Sequence, residues 1–152
     1  MIITFENAEN DALLEVAKLM VVAARTAPKA QGEDKIKTAI ITGIEKDGLA
    51  NMMEQMGKVR DSKNVKDSGA VVLLGVSFGN PLEDWINFKA KLIDLGIALG
   101  SAAKVASELN VDNRIMHTIG IAALKMGLLK ADEILGIPLS IKGKSIFFDR
   151  KT

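Results

Sequence analysis

Apolar residues recur at helical spacing through much of the chain, most densely between residues 92 and 126. There Ile93, Ile97, Val105 and Leu109 predict the core-facing stripe of one helix. Small residues crowd between them. Gly96 and Gly100 lie four apart, as do Ala98 and Ala102, and residues four apart share a helix face. A glycine inside a helix costs about 1 kcal/mol against alanine. Two on one face therefore point to a close neighbour: another helix, a partner subunit or a flat ligand. Two tightly packed core helices are the plainer account. Asn110 and Val111 break the run, and Asp112 suits the N-cap of a second helix. Its stripe is Ile115, Ile119, Ala122 or Ala123, and Met126, and Gly127 fits the position just past its end.

Upstream, residues 1–5 read as a short strand or an arm. Asn7 or Asn10 can cap a first helix that runs to about Ala27, with Leu13, Val16, Ala17, Met20 and Ala24 on one face. Pro28 stops it, because the residue before proline is pushed out of the helical region. Residues 35–44 predict a strand, and residues 48–60 a helix with Leu49, Met52, Met53 and Met56 inward. Residues 61–68 read as a charged, exposed short helix. The continuous apolar run 70–76 fits a strand buried on both faces. A loop over 78–82 leads into a helix with Trp85, Ile86 and Phe88, ahead of the central pair. A further short helix over 128–135 closes at Gly136 and Pro138. Strands over 139–141 and 145–148 flank Lys142-Gly143-Lys144. Helices alternating with strands predict a mixed α/β, α+β fold, and the length of 152 residues fits a single domain over residues 1–152.

Composition narrows the chemistry. Aromatic residues make up only 4% against 48% hydrophobic overall, so the core is aliphatic. A net charge of +1 gives no electrostatic case for nucleic acid or a membrane surface. Cysteine is absent, which removes disulfides, thiolate catalysis, Cys-ligated zinc and any ordinary cysteine-ligated iron–sulfur cluster. The acidic start MIITFENAEND is neither a signal nor a transit peptide. The longest uncharged stretch, 68–82, is too short and too interrupted by glycine and proline to span a bilayer. A cytoplasmic protein is the expectation. No paired-carboxylate, phosphate-loop or dinucleotide motif is present. His117 is the only histidine, and a metal site or metal-dependent hydrolase built on it lacks further ligands. Arg25 and Lys29 sit beside the end of the first helix, and Lys142, Lys144 and Arg150 cluster near the C-terminus. They read either as solvated surface or as the cations of an anion site.

Four stretches carry a family resemblance: LLEVAKLMVVAARTAPKAQGEDKIKTAIITG, IDLGIALGSAA, VDNRIMHTIGIAAL and GIPLSIKGKSIFFDR. Together they resemble the uncharacterised bacterial and archaeal proteins described as ferredoxin-domain-containing. Typical members carry a cysteine-rich segment between a Gly-Asn-Pro-like turn and the Asp-Leu-Gly-Ile helix. Here Gly79-Asn80-Pro81 is followed by LEDWINFKAKLI, without a cysteine, so no iron–sulfur cluster is expected. More distantly, Ala27-Pro28, Asp94-Leu95-Gly96-Ile97-Ala98 and Leu135-Gly136-Ile137-Pro138 resemble, in order, motifs of the nitroreductase-like flavoproteins. That resemblance implies a small sheet packed by helices around a central small-residue helix. It also implies a homodimer with flavin mononucleotide (FMN) at its interface. The serine of the family's loop is Lys29 here, its asparagine is replaced by Gly32, and the arginine-rich segment before the first helix is missing. The resemblance then assigns the phosphate to Arg25 and Lys29, with Lys144 or Arg150 in support, and close approach of the ring to Gly96 and Gly100. Two functions follow as expectations: an FMN-binding redox protein acting on an unknown small molecule, or a non-catalytic homodimer that has lost its family's cluster.

Overall fold

The computed structural model describes residues 1–149. Helix α1 spans Phe5–Thr26, strand β1 Ile36–Ile41, helix α2 Gly43–Gln55, helix α3 Val59–Asp67 and strand β2 Ala70–Val76. Helix α4 then runs Trp85–Glu108, followed by strand β3 Asp112–Asn113, helix α5 His117–Met126 and strand β4 Glu133–Ser140. The strands form one antiparallel sheet in the order β1-β2-β4-β3. β2 lies centrally, with Ile36 opposite Val76 on one side and Ala70 opposite Leu139 on the other. Every residue of β2 is buried because helices cover both faces of the sheet. Its alternation divides the core: Val72, Leu74 and Val76 meet α1 and α4 through Leu13, Met20, Leu95 and Leu99. Val71 and Leu73 face the opposite way, toward Leu49, Met53 and Ile119 of α2 and α5. The mixed α/β, α+β expectation agrees with this architecture.

Local rules account for much of it. The apolar face expected of α1 is buried residue for residue. Ala27, ahead of Pro28, is extended at ψ 146° and ends the helix. Gly127 closes α5 in the left-handed region. Gly57, at φ +76°, splits the helix expected over 48–60 into α2 and α3.

Elsewhere tertiary contacts override the pattern. The inner face of α4 is Leu95, Ala98, Leu99, Ala102 and Ala106, whereas Ile93 is 55% and Ile97 43% exposed, and Leu109 also faces out. The alanines point inward because α4 lies along α1, and their small side chains allow that close approach. Asp112 caps no helix: it lies in β3, opposite Ser140 of β4. α5 starts later because Met116 exchanges backbone hydrogen bonds with Gly136 of β4, which leaves Ile115 exposed. The helix expected over 128–135 does not form: 128–132 are turn and loop, and Glu133 begins strand β4, which takes in Leu139 and Ser140 of the strand expected over 139–141. Pro138 is tolerated there because β3 pairs only with Leu139 and Ser140 and has ended before reaching it. Residues 145–148 form no strand. Among the described residues no helix is long and apolar enough to cross a membrane.

Candidate functional site

Helix α3 was expected to be a solvated charged segment, but Ser62, Asn64 and Val65 are buried. Its other face carries Arg60, Lys63 and Asp67, one helical face by spacing. Opposite runs the segment after β4, anchored by Phe147, which is fully buried. The Arg114 Nη1 donates to the Phe147 carbonyl at 3.3 Å and so holds that segment in place. Between them opens a cavity of about 820 Å³ lined by Val59, Arg60, Lys63, Asn64, Asp67, Ile146 and Asp149. Small-molecule sites typically enclose roughly 300–1,000 Å³.

The walls mix aliphatic and charged groups. Lys63 donates to Asp67 Oδ2 at 2.6 Å. That hydrogen bond holds the Asp67 carboxyl below its ordinary range, against the opposing effect of burial and with help from the nearby charges of Lys63, Lys142 and Lys46. Asp149 pairs with Lys144 at 2.8 Å. Asn64 Nδ2 is buried without a hydrogen-bond partner, as is Ser145 Oγ beside Ile146. A buried donor left unpaired costs about 1–3 kcal/mol.

The loop after α1 has a different construction. The side chain of Lys29 is only 4% exposed. Its Nζ donates to the carbonyls of Ala24 (2.9 Å), Arg25 (3.1 Å) and Ala27 (2.6 Å). Pro28 prevents the chain from continuing the helix, and Lys29 satisfies carbonyls orphaned at its end. Its three donors are occupied, leaving none for a phosphate in this conformation. Arg25 Nη1 donates to Asp34 Oδ2 and to the Ile36 carbonyl, both at 2.7 Å. Burial is the largest single influence on Asp34 and opposes its ionisation. The hydrogen bonds from Arg25 and the Ile36 amide, with the charges of Arg25 and Lys29, outweigh it and hold the carboxyl below its ordinary range. Asp94, buried on α4, accepts from the Ala30 amide at 2.9 Å and lies 3.5 Å from buried Lys91. Lys91 in turn donates to the Glu33 carbonyl at 3.2 Å. The aspartate of the Asp-Leu-Gly motif thus ties this loop to α4.

The residues singled out from sequence therefore fall in separate places. Arg25 and Lys29 close the end of α1. A side chain at Gly96 or Gly100 would meet open space, so the two glycines form an outward face with Ile93 and Ile97. Lys144 reaches the large cavity's edge through Asp149, and Arg150 lies outside the described residues. None of Arg25, Lys29, Gly96 and Gly100 lines that cavity. Arg60, Lys63 and Asn64 do, and their spacing was the one available signal. His117 is exposed at the start of α5, 3.3 Å from Glu133. Among the described residues no group of three His, Asp or Glu side chains is placed to hold a metal.

Comparison with known proteins fits this architecture. Residues 87–150 match the family described as "uncharacterized protein containing a ferredoxin domain (DUF2148)". An uncharacterized protein of Archaeoglobus fulgidus is 37% identical over 180 residues, covering 99% of this chain and 98% of its own. The chain belongs to this family. That alignment is longer than the 152 residues here, so the relative has positions without a counterpart in this DUF2148 member. Lacking cysteine, this member has no ligands for a cysteine-bound cluster.

Among solved structures, the chain superimposes on a candidate nitroreductase of Desulfovibrio desulfuricans in complex with FMN at TM-score 0.67 and 14% identity, over 91% of this chain and 79% of that one. It matches the nitroreductase CinD of Lactococcus lactis, in complex with 4-nitrophenol, at TM-score 0.65 and 18% identity, over 91% and 82%. It matches the hypothetical oxidoreductase YcnD of Bacillus subtilis at TM-score 0.66 and 14% identity, over 86% of this chain but only 58% of that one. At these identities the likeness shows the fold, which is nitroreductase-like.

Proposed function

We propose that this DUF2148 member is an FMN-binding redox protein, with the cofactor in the cavity between α3 and residues 146–149. The observation that carries this reading is the cavity itself, with Arg60, Lys63 and Asn64 on one wall. The residues suit the group. FMN combines a flat ring with an acceptor-rich edge and an anionic phosphate. Val59 and Ile146 offer apolar walls, and Arg60 and Lys63 positive charge beside the carboxylates of Asp67 and Asp149. Lys144, paired with Asp149, would add charge from the C-terminal side. Arg25 and Lys29 would join only by giving up their present partners. Bound FMN supplies hydride transfer, while the protein binds, orients and shields it. In this reading a second copy covers the outward face of Ile93, Gly96, Ile97 and Gly100, and Gly100→Leu converts a dimer to a monomer in light scattering.

The test is a visible absorbance spectrum before and after FMN is added and the excess removed. The expected result is a retained pair of flavin bands. Replacing Arg60 and Lys63 together by alanine should weaken FMN at least about tenfold, the size of one charge-assisted hydrogen bond. A flat spectrum in both states would defeat the proposal and leave the non-catalytic homodimer as the working reading.

A further inference from the structure

A second cleft is lined by Phe148, between Ile146 and Asp149 of the large cavity in sequence. It encloses about 410 Å³ between the end of α4, β3 and Phe148, and is lined by Ser107, Asn110, Val111, Asp112, Asn113 and Phe148. We propose that it binds a nucleoside, with the base on the Phe148 ring and the ribose diol on Asp112.

Phe148 presents its phenyl ring to the surface, 63% exposed. Its place in the chain is fixed by its fully buried neighbour Phe147 and by Arg114, which bonds the Phe147 carbonyl. The Arg114 guanidinium lies 5.6 Å from the Phe148 ring centroid and occupies one face. A ring held this way loses little freedom when a flat group stacks on its other face. At the rim, Asn113 Nδ2 donates to Ser107 Oγ at 3.0 Å and to the Val111 carbonyl at 3.1 Å. Those bonds fix the amide and leave its oxygen as an acceptor. Among the described residues, the Asp112 carboxylate has no side-chain hydrogen bond or ion pair, and no lysine or arginine lines the cleft.

An aromatic plate, a carboxylate and a fixed amide oxygen call for a ligand that is flat and rich in hydrogen-bond donors. A carboxylate can accept from both hydroxyls of a cis-diol, and an amide oxygen can accept from an exocyclic amine. Adenosine presents a ring, a diol and an amine on one small frame. The Asp112 carboxylate disfavours a phosphate beside it, so the nucleoside is the group recognised. This inference goes beyond the flavin reading and stands independently of it.

Titration calorimetry of the full chain with adenosine and with 2′,3′-dideoxyadenosine tests it, and needs no flavin. Saturable adenosine binding is expected. Phe148→Leu should weaken it at least about fivefold, the lower end of what one stacked base contributes. Asp112→Asn should weaken adenosine but leave the dideoxy compound unchanged, with melting curves confirming that both variants fold. The proposal is overturned by absent binding at millimolar adenosine, by both variants binding like wild type, or by an Asp112→Asn loss equal for the two ligands. Flavin bands without adenosine binding would sink this site and spare the flavin reading. Adenosine binding by a protein that takes up no FMN would do the reverse.

Discussion

Replacing Lys29 by methionine separates a structural lysine from a phosphate ligand. Methionine keeps most of the stem and removes the ammonium, which is buried and donates to three carbonyls at 2.6–3.1 Å. Hydrogen bonds from a charged group contribute about 1.5–3 kcal/mol each, and a cation at a helix C-terminus up to about 2 kcal/mol. Much of that gain offsets the cost of burying the ammonium, which methionine no longer incurs. What remains is the penalty of carbonyls left unpaired at the end of α1, so the expected net loss is about 2–4 kcal/mol. Urea unfolding followed by circular dichroism measures it, with Lys29→Arg as the variant that keeps the charge. Stability should fall, while protein that remains folded should keep its affinity for FMN. A loss below about 0.5 kcal/mol, the range of ordinary surface substitutions, together with a loss of flavin affinity, would refute this and return Lys29 to the role of an anion ligand.

Three further substitutions probe the frame. Gly120→Ala drives a methyl into the backbone around the Ile134 carbonyl of β4, which cannot move aside as a side chain tip can; a loss of about 3 kcal/mol or more is expected, read as a lowered melting temperature. Asp34 has its carboxyl pKa lowered on folding, so its contribution is present above the unfolded value of 3.8 and lost as pH falls through the folded value. Asp34→Asn should therefore be least stable relative to wild type at neutral pH, with the gap closing in acid; a gap that widens in acid would contradict the sign. Lys46→Met removes donors to the carbonyls of Val65 and Lys66 at the end of α3. It should reduce stability and FMN affinity together, measured by urea unfolding and flavin titration, because α3 forms one wall of the large cavity.

The sequence was most legible where one residue's own constraints decide the outcome. Pro28 ends α1, Gly127 closes α5, and the apolar run of β2 is buried as a central strand must be. It was least legible where a choice depends on a distant partner. Nothing local says that the alanines of α4, not its isoleucines, turn inward; the approach of α1 decides that. Likewise α3 has a charged composition that reads as a solvated face. Only the return of residues 146–149 gives Arg60, Lys63 and Asn64 an opposing wall. Asp94 shows the same dependence. Its place in an Asp-Leu-Gly motif pointed to a cofactor helix, yet its hydrogen bond goes to the amide of Ala30.

The basic residues follow a common logic. Lys29, Lys46 and Lys91 each bury a long stem and direct the ammonium to backbone carbonyls: the end of α1, the end of α3, and Glu33 in the loop between α1 and β1. Each satisfies acceptors that water would otherwise have to reach, in a chain whose core has few aromatic groups to fill such corners. Counting cations near a promising loop therefore overstates its capacity for an anion, since the most buried of them are already committed. The cations that remain informative lie on a wall and keep a partner they can exchange. Lys63 meets that condition: its partner Asp67 lies on the same helix and lines the same cavity. A phosphate or flavin edge arriving there would compete with one exposed ion pair of small net strength. At Lys29 it would have to displace three hydrogen bonds from a closed helix end. That difference in cost is the reason for proposing the site on α3, away from the loop whose sequence first suggested it.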